Sequence, residues 1–170
     1  MAGLEGLHVL IVDDNENMRG IVAAMLKGAG AQKIKAVADG DEAISTLSWF
    51  SADIAVVDYN MKPTDGVEFT RYIRTSPLSP NPFLPIILMT GHAERSRVVA
   101  ARDAGIHEFM VKPITARALL GRFHAVLAKP RAFVRTAKYF GPDRRRIDDE
   151  TYDGPLLRSD DRNPSKSDAA

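Results

Sequence analysis

Asp53-Ile54-Ala55-Val56-Val57-Asp58-Tyr59-Asn60-Met61-Lys62-Pro63-Thr64-Asp65-Gly66 is the stretch on which the reading of this chain turns. Four apolar residues, Ile54 to Val57, stand between Asp53 and a turn-rich cluster containing Pro63 and Asp65-Gly66. A short apolar run bounded in this way predicts a buried strand that ends in a loop. Asp58 stands where that strand stops. A carboxylate there either caps a turn or helix, or serves as a nucleophile or metal ligand. The segments on either side have to decide.

Upstream, Leu7 to Val12 is a second β-branched run, ending at Asp13-Asp14-Asn15. Residues from about 16 to 29 place Met18, Ile21, Val22, Met25 and Leu26 at helical spacing, with Gly28 and Gly30 as stop signals. Ile34 to Ala38 is a short strand. Asp39-Gly40 turns the chain into a helix over Asp41 to about Phe50, with Ala43, Ile44 and Leu47 inward. Downstream, Val67 to about Arg74 is a third helix. Ser76 to Pro85 holds Pro77, Pro80, Pro82 and Pro85, and reads as a loop. Ile86 to Thr90 is a fourth strand, and Ala93 to about Ala104 a fourth helix closed by Gly105. Glu108 to Val111 is a fifth strand, followed by Lys112-Pro113. Thr115 to about Ala128 is a fifth helix. Strand and helix alternate five times with short links. That pattern predicts an α/β domain with a parallel sheet covered by helices on both faces.

Right-handed crossovers bring the carboxyl ends of all five strands to one edge of such a sheet, where ligands bind at the point of winding reversal. Asp13, Asp14, Asp58, Thr90 and Lys112 therefore converge. Each residue alone has an ordinary reading as a cap or a surface charge, but all of them at successive strand ends do not. Three carboxylates together are costly without a cation. No His or Cys joins them, and an all-oxygen set favours Mg2+. A carboxylate beside Mg2+ and a fixed lysine can attack a phosphoryl group, with the threonine hydroxyl donating to a phosphoryl oxygen.

Composition excludes several other classes. The 170 residues contain no cysteine, so there is no disulfide framework, thiolate metal site or cysteine nucleophile, and a cytoplasmic location is expected. Met1 to Gly6 has neither the basic start nor the apolar core of a signal peptide, and no apolar run is long enough for a membrane span. The net charge of +1 is unevenly spread. Residues 1–128 carry 13 basic and 14 acidic groups, residues 129–146 carry 7 and 1, and residues 147–170 carry 3 and 7. A near-neutral domain is followed by a basic arm and an acidic tail.

Residues 5–128 resemble the CheY-like receiver domain of two-component response regulators. The resemblance implies a flavodoxin-like (βα)5 doubly wound sheet of order 2-1-3-4-5. It also implies Asp58 as phospho-acceptor, and Asp13, Asp14, Asp58 and the Asn60 backbone carbonyl around Mg2+. Thr90 and Lys112 match the phosphoryl-contacting pair, Phe109 the switch aromatic, and Lys112-Pro113 a peptide bond usually cis in this family. It further implies a histidine kinase or phosphotransfer protein as phosphate source, and a downstream protein partner for the surface of helix four, strand five and helix five. Such a domain catalyses its own phosphoryl transfer and hydrolysis and is a signalling switch rather than a metabolic enzyme. Lys62 before Pro63, Gly91 after Thr90 and the long proline-rich loop depart from the family pattern, but none removes a reacting group.

Residues 129–170 form an extension without its own core, expected to lack ordered structure when free. It repeats an aromatic, a Gly-Pro turn and arginine: Tyr139-Phe-Gly141-Pro142-Asp143-Arg144-Arg145-Arg146, then Tyr152-Asp-Gly154-Pro155-Leu-Leu-Arg158. Arginine forks bind phosphates and guanine edges, and Tyr139, Phe140 and Tyr152 can stack on bases. This arm resembles the arginine-rich extension of the Cle group of CheY-like proteins, which bind cyclic di-GMP and act on flagellar motors. The candidate nucleotide-binding residues are Arg135, Tyr139, Asp143, Arg144, Arg145, Arg146 and Arg158. A solvated basic linker is the plain alternative. A nucleic-acid backbone contact is disfavoured by the acidic run Asp148-Asp149-Glu150.

Overall fold

A computed structural model of the chain describes residues 3–145. Its strands are β1 (His8–Val12), β2 (Lys33–Val37), β3 (Ile54–Asp58), β4 (Ile86–Thr90) and β5 (Glu108–Val111). They alternate with α1 (Glu16–Gly28), α2 (Gly40–Leu47), α3 (Gly66–Thr75), α4 (Arg95–Ala104) and α5 (Ala116–Ala128). The sheet order is β2-β1-β3-β4-β5, all parallel. The alternation predicts the parallel sheet, and the strand order is the flavodoxin-like one that the resemblance implies. No described helix is long and apolar enough to cross a membrane.

The apolar runs are continuous because the central strands are covered on both faces. Successive side chains of β1 alternate sides: Leu10 and Val12 join a core with Ala43, Phe69, Ile73 and Ala101, while Val9 and Ile11 join one with Val22, Leu26, Leu119 and Phe123. The helices start where short polar side chains satisfy their free N–H groups. Asn15 accepts from Met18 N (3.1 Å), Asp39 from Glu42 N (2.8 Å) and Thr115 from Ala118 N (3.2 Å). Asp65 and Glu68 form a reciprocal capping box at the head of α3. α4 begins differently, at Glu94 with no side-chain cap, and closes on Gly105 at φ 102°.

The expectation of an unstructured extension is corrected for residues 130–145. β6 (Phe133–Arg135) and β7 (Phe140–Pro142) pair antiparallel and pack against the receiver. Phe133 lies against Phe83, Phe140 and the His107 ring, with centroids 5.0–5.5 Å apart. Gly141 meets the Gly105 backbone, where a side chain would have no room. Arg131 donates to the His107 carbonyl, and Arg144 pairs with Asp103 of α4 at 2.8 Å. The hairpin borrows the receiver's surface as its core, which is why its own residues carry no visible hydrophobic pattern. It sits at the amino ends of β4 and β5, opposite the strand ends that carry Asp58.

Candidate phosphorylation site

The parallel register brings the strand ends together: Val12 pairs with Val57, Asp58 with Met89 and Thr90 with Val111. Asp13, Asp14 and Asp58 follow from it, each offering a carboxylate oxygen within 4.8 Å of the others. Asp13 and Asp58 are buried, and Asp14 is exposed at the mouth. Lys112, just past β5, sets its Nζ 2.8 Å from Asp58 Oδ1 and 3.5 Å from Asp13 Oδ2. Burial pushes the Asp58 carboxyl above its ordinary range. The Lys112 hydrogen bond pulls it down, and the Asp13 and Asp14 charges push it up again. Burial alone would lower the pKa of Lys112, but the hydrogen bond and charge of Asp58, with Asp13, outweigh it and raise it.

The donor set fits the divalent ion that the sequence implies. Asp13 Oδ1 accepts from Asn15 N at 2.8 Å, whereas Asp13 Oδ2 is buried with no hydrogen-bond donor. A bound cation would satisfy a buried carboxylate oxygen in that state, and Lys112 at 3.5 Å is a charge neighbour rather than a bonded donor. Three hard oxygen donors suit Mg2+.

The loop after β3 is held close by Gly66. Its N–H donates to Tyr59 O at 2.9 Å, and a Cβ at this position would lie 2.7 Å from Leu88 Cδ1. Thr90 is fully buried, and its Oγ1 donates to His92 O and accepts from His92 N, both at 3.2 Å. Phe109 is half-buried against the core on the α3–α4 side. Asn60 is exposed at the rim, where Arg97 of α4 donates to its Oδ1 at 3.0 Å and lies over the Tyr59 ring. Nothing in the sequence marks Arg97. Its helix reads as a charged surface, and its partner is 37 residues away.

The arm residues fare differently. Tyr139 is 9 % exposed, and its hydroxyl donates to Pro142 O at 2.7 Å, so its ring fills the hairpin instead of offering a face to a base. Phe140 is buried likewise, under Arg135, whose guanidinium lies 4.1 Å from the ring centre. Arg144 stacks on Tyr139 as well as pairing with Asp103, and Asp143 accepts from Arg145 N at 2.9 Å. Arg146, Tyr152 and Arg158 lie outside the described residues.

Known proteins resemble this chain over the same region. Residues 9–124, more than half the chain, match the family described as response regulator receiver domain. The chemotaxis protein CheY of Pseudomonas aeruginosa is 29% identical over 123 residues, spanning 72% of this chain and 98% of that protein. The structure of Vibrio cholerae CheY4 superposes with a TM-score of 0.66 at 30% identity, covering 71% of this chain and 98% of that one. The receiver domain of the sensor histidine kinase PA1611 from Pseudomonas aeruginosa, solved with magnesium in its active-site cleft, gives 0.62 at 27% identity, covering 70% and 95%. The chain belongs to the response regulator receiver domain family.

Proposed function

We propose that this protein is a two-component response regulator phosphorylated on Asp58, with a histidine kinase or phosphotransfer protein as phosphodonor. The observation that carries the reading is the buried Asp58 carboxylate held 2.8 Å from Lys112 beside the undonated Asp13 oxygen. Asp13, Asp14, Asp58 and the Asn60 carbonyl would hold Mg2+, which supplies charge neutralisation to the transferring oxygens. An Asp58 oxygen attacks phosphorus, the donor's bond to phosphorus breaks, and its electron pair leaves with the donor. Lys112 follows the developing charge on the phosphoryl oxygens. Water later cleaves the acyl phosphate and restores the carboxylate and inorganic phosphate. The domain is thus a self-phosphorylating switch and not a metabolic enzyme.

The switch follows from Thr90. Its hydroxyl is spent on the His92 backbone, and a phosphoryl group on Asp58 offers a stronger, charged acceptor. Thr90 moves toward it, Phe109 turns into the space released, and the α4-β5-α5 surface changes for a protein partner. Incubation with acetyl phosphate and Mg2+ tests the assignment. The wild type takes one phosphoryl group and Asp58→Asn takes none; equal labelling of both sinks it.

A second reading concerns the arm. The hairpin carries Arg144 and Arg145 on an anchored stretch, a better platform for an anionic dinucleotide than a loose linker. Cyclic di-GMP bound there would direct the receiver to a partner such as the flagellar motor. Burial of Tyr139 leaves arginine forks rather than aromatic stacking as the binding chemistry. Because the hairpin packs on the receiver, calorimetry belongs on the full chain. Heat that vanishes in Arg144→Ala/Arg145→Ala supports this reading, and no heat at high micromolar ligand removes it.

A further inference from the structure

One cation at the rim of the site has no part in the chemistry above. Arg97 rides the first turn of α4, and its Nη1 donates to Asn60 Oδ1 at 3.0 Å. Its guanidinium carbon lies 4.8 Å from the centre of the Tyr59 ring. Tyr59 and Asn60 are the two residues that follow Asp58, so both contacts tether the guanidinium to the loop that leaves the phospho-acceptor. Among the described residues Arg97 has no carboxylate partner. It is a charge held in place by a ring face and a neutral amide.

A further cation at the rim favours the approach of an anion to this acidic site. Asp13, Asp14 and Asp58 crowd within 4.8 Å, and Lys112 is already directed at Asp58 and Asp13. A phosphodonor is itself an anion and must approach three carboxylates. A guanidinium presents five N–H donors in a planar fork that matches paired phosphate oxygens, and stacking on a ring fixes its plane beforehand. Phosphate is a stronger acceptor than the Asn60 amide, so the fork can exchange one for the other without leaving the Tyr59 ring.

We propose that Arg97 receives small anionic phosphodonors, such as acyl phosphates, at the rim of the site and orients them toward Asp58. This deepens the assignment of Asp58 as phospho-acceptor and rests on it. Arg97 acts on approach and orientation; bond making and breaking at phosphorus stay with Asp58 and Lys112. The expected signature is therefore in the half-saturating donor concentration and not in the maximal rate.

The test titrates acetyl phosphate, with Mg2+ present, against the full-length protein and follows the initial rate of Asp58 labelling by intact mass. Arg97→Ala raises the half-saturating concentration about tenfold and leaves the maximal rate within about twofold. Arg97→Lys keeps the charge but loses the fork and the ring stacking, so it recovers only part of the loss, while Arg97→Glu exceeds the alanine defect. Urea midpoints of all variants stay with the wild type. A merely structural role gives the opposite pattern, with a lower maximal rate, a lower urea midpoint and no rescue by lysine, and overturns the proposal. So does a half-saturating concentration for Arg97→Ala within twofold of wild type. A wild type that takes no label at all defeats the Asp58 assignment itself, and the proposal falls with it; labelled wild type with unaffected Arg97→Ala defeats only the proposal.

Discussion

Asp58 sits where Gly66 lets it. The helix that follows β3 begins against the backbone of Asp58, and Leu88 closes the gap from β4, so no side chain fits at position 66. Gly66→Ala forces that junction apart. Unfolding in urea shows a loss of about 2 kcal/mol, and Asp58 labelling slows because the carboxylate shifts from Lys112. Lys112→Met leaves the fold and removes the ammonium at 2.8 Å, so the labelling rate falls by about two orders of magnitude. Asp13, Asp14, Asp58, Thr90 and Lys112 were legible in the sequence because each closes or follows a buried run, and parallel topology then leaves them one place to meet. Gly66 was legible only as a turn glycine, since the atoms it must avoid belong to β3 and β4. Arg97 had no local signal, because what gives it meaning is a loop from another part of the chain.

Elements show the same division. The ten segments of the receiver announce themselves through continuous apolar strands, helical spacing and caps, and the structure returns them within a few residues. The hairpin does not. Each of its strands has three residues, too few for period two to register, and its turn signals read as a linker. Its stability comes from Phe133 and Phe140 against Phe83 and His107, and from Tyr139 folded back on Pro142. Phe133→Ala therefore costs about 2 kcal/mol by denaturant titration, less than a fully buried phenylalanine because the ring is only partly buried. Arg144→Ala costs under about 1 kcal/mol, since its ion pair with Asp103 is partly solvated. Amide exchange of residues 133–142 separates the two, with protection lost in Phe133→Ala and largely kept in Arg144→Ala.

The whole molecule has two chemically different ends. The carboxyl ends of the strands gather acids around Asp58, and the amino ends bury a cation and an imidazole under the hairpin. Arg74 is 2 % exposed and donates to the carbonyls of Gly105, Pro82 and Leu84 at 2.7–2.9 Å. Desolvation lowers its pKa to about 10, so it remains charged at neutral pH. His107 lies beside it, with Nδ1 accepting from Ile86 N at 3.3 Å and facing Arg74 Nη2 at 3.4 Å, which places the ring proton on Nε2. Burial, then the Arg74 and Arg131 charges, push His107 down to about 3 from an ordinary 6.5. Above 6.5 the ring is neutral in the folded and unfolded chain alike, and its environment has no effect on the pH dependence. Between 6.5 and about 3 the unfolded chain binds a proton that the folded chain refuses, so stability falls as pH falls, with a slope of up to about 1.4 kcal/mol per unit. His107→Asn keeps an acceptor for Ile86 N and removes the titration. It is less stable than wild type at pH 8, because ring packing against Phe133 is gone, yet its urea midpoint declines more gently from pH 6.5 to 5. The substitution lies at the opposite end from the carboxylates around Asp58, so the difference in slope isolates His107; parallel curves would mean that the ring takes up its proton in the fold as readily as in the unfolded chain.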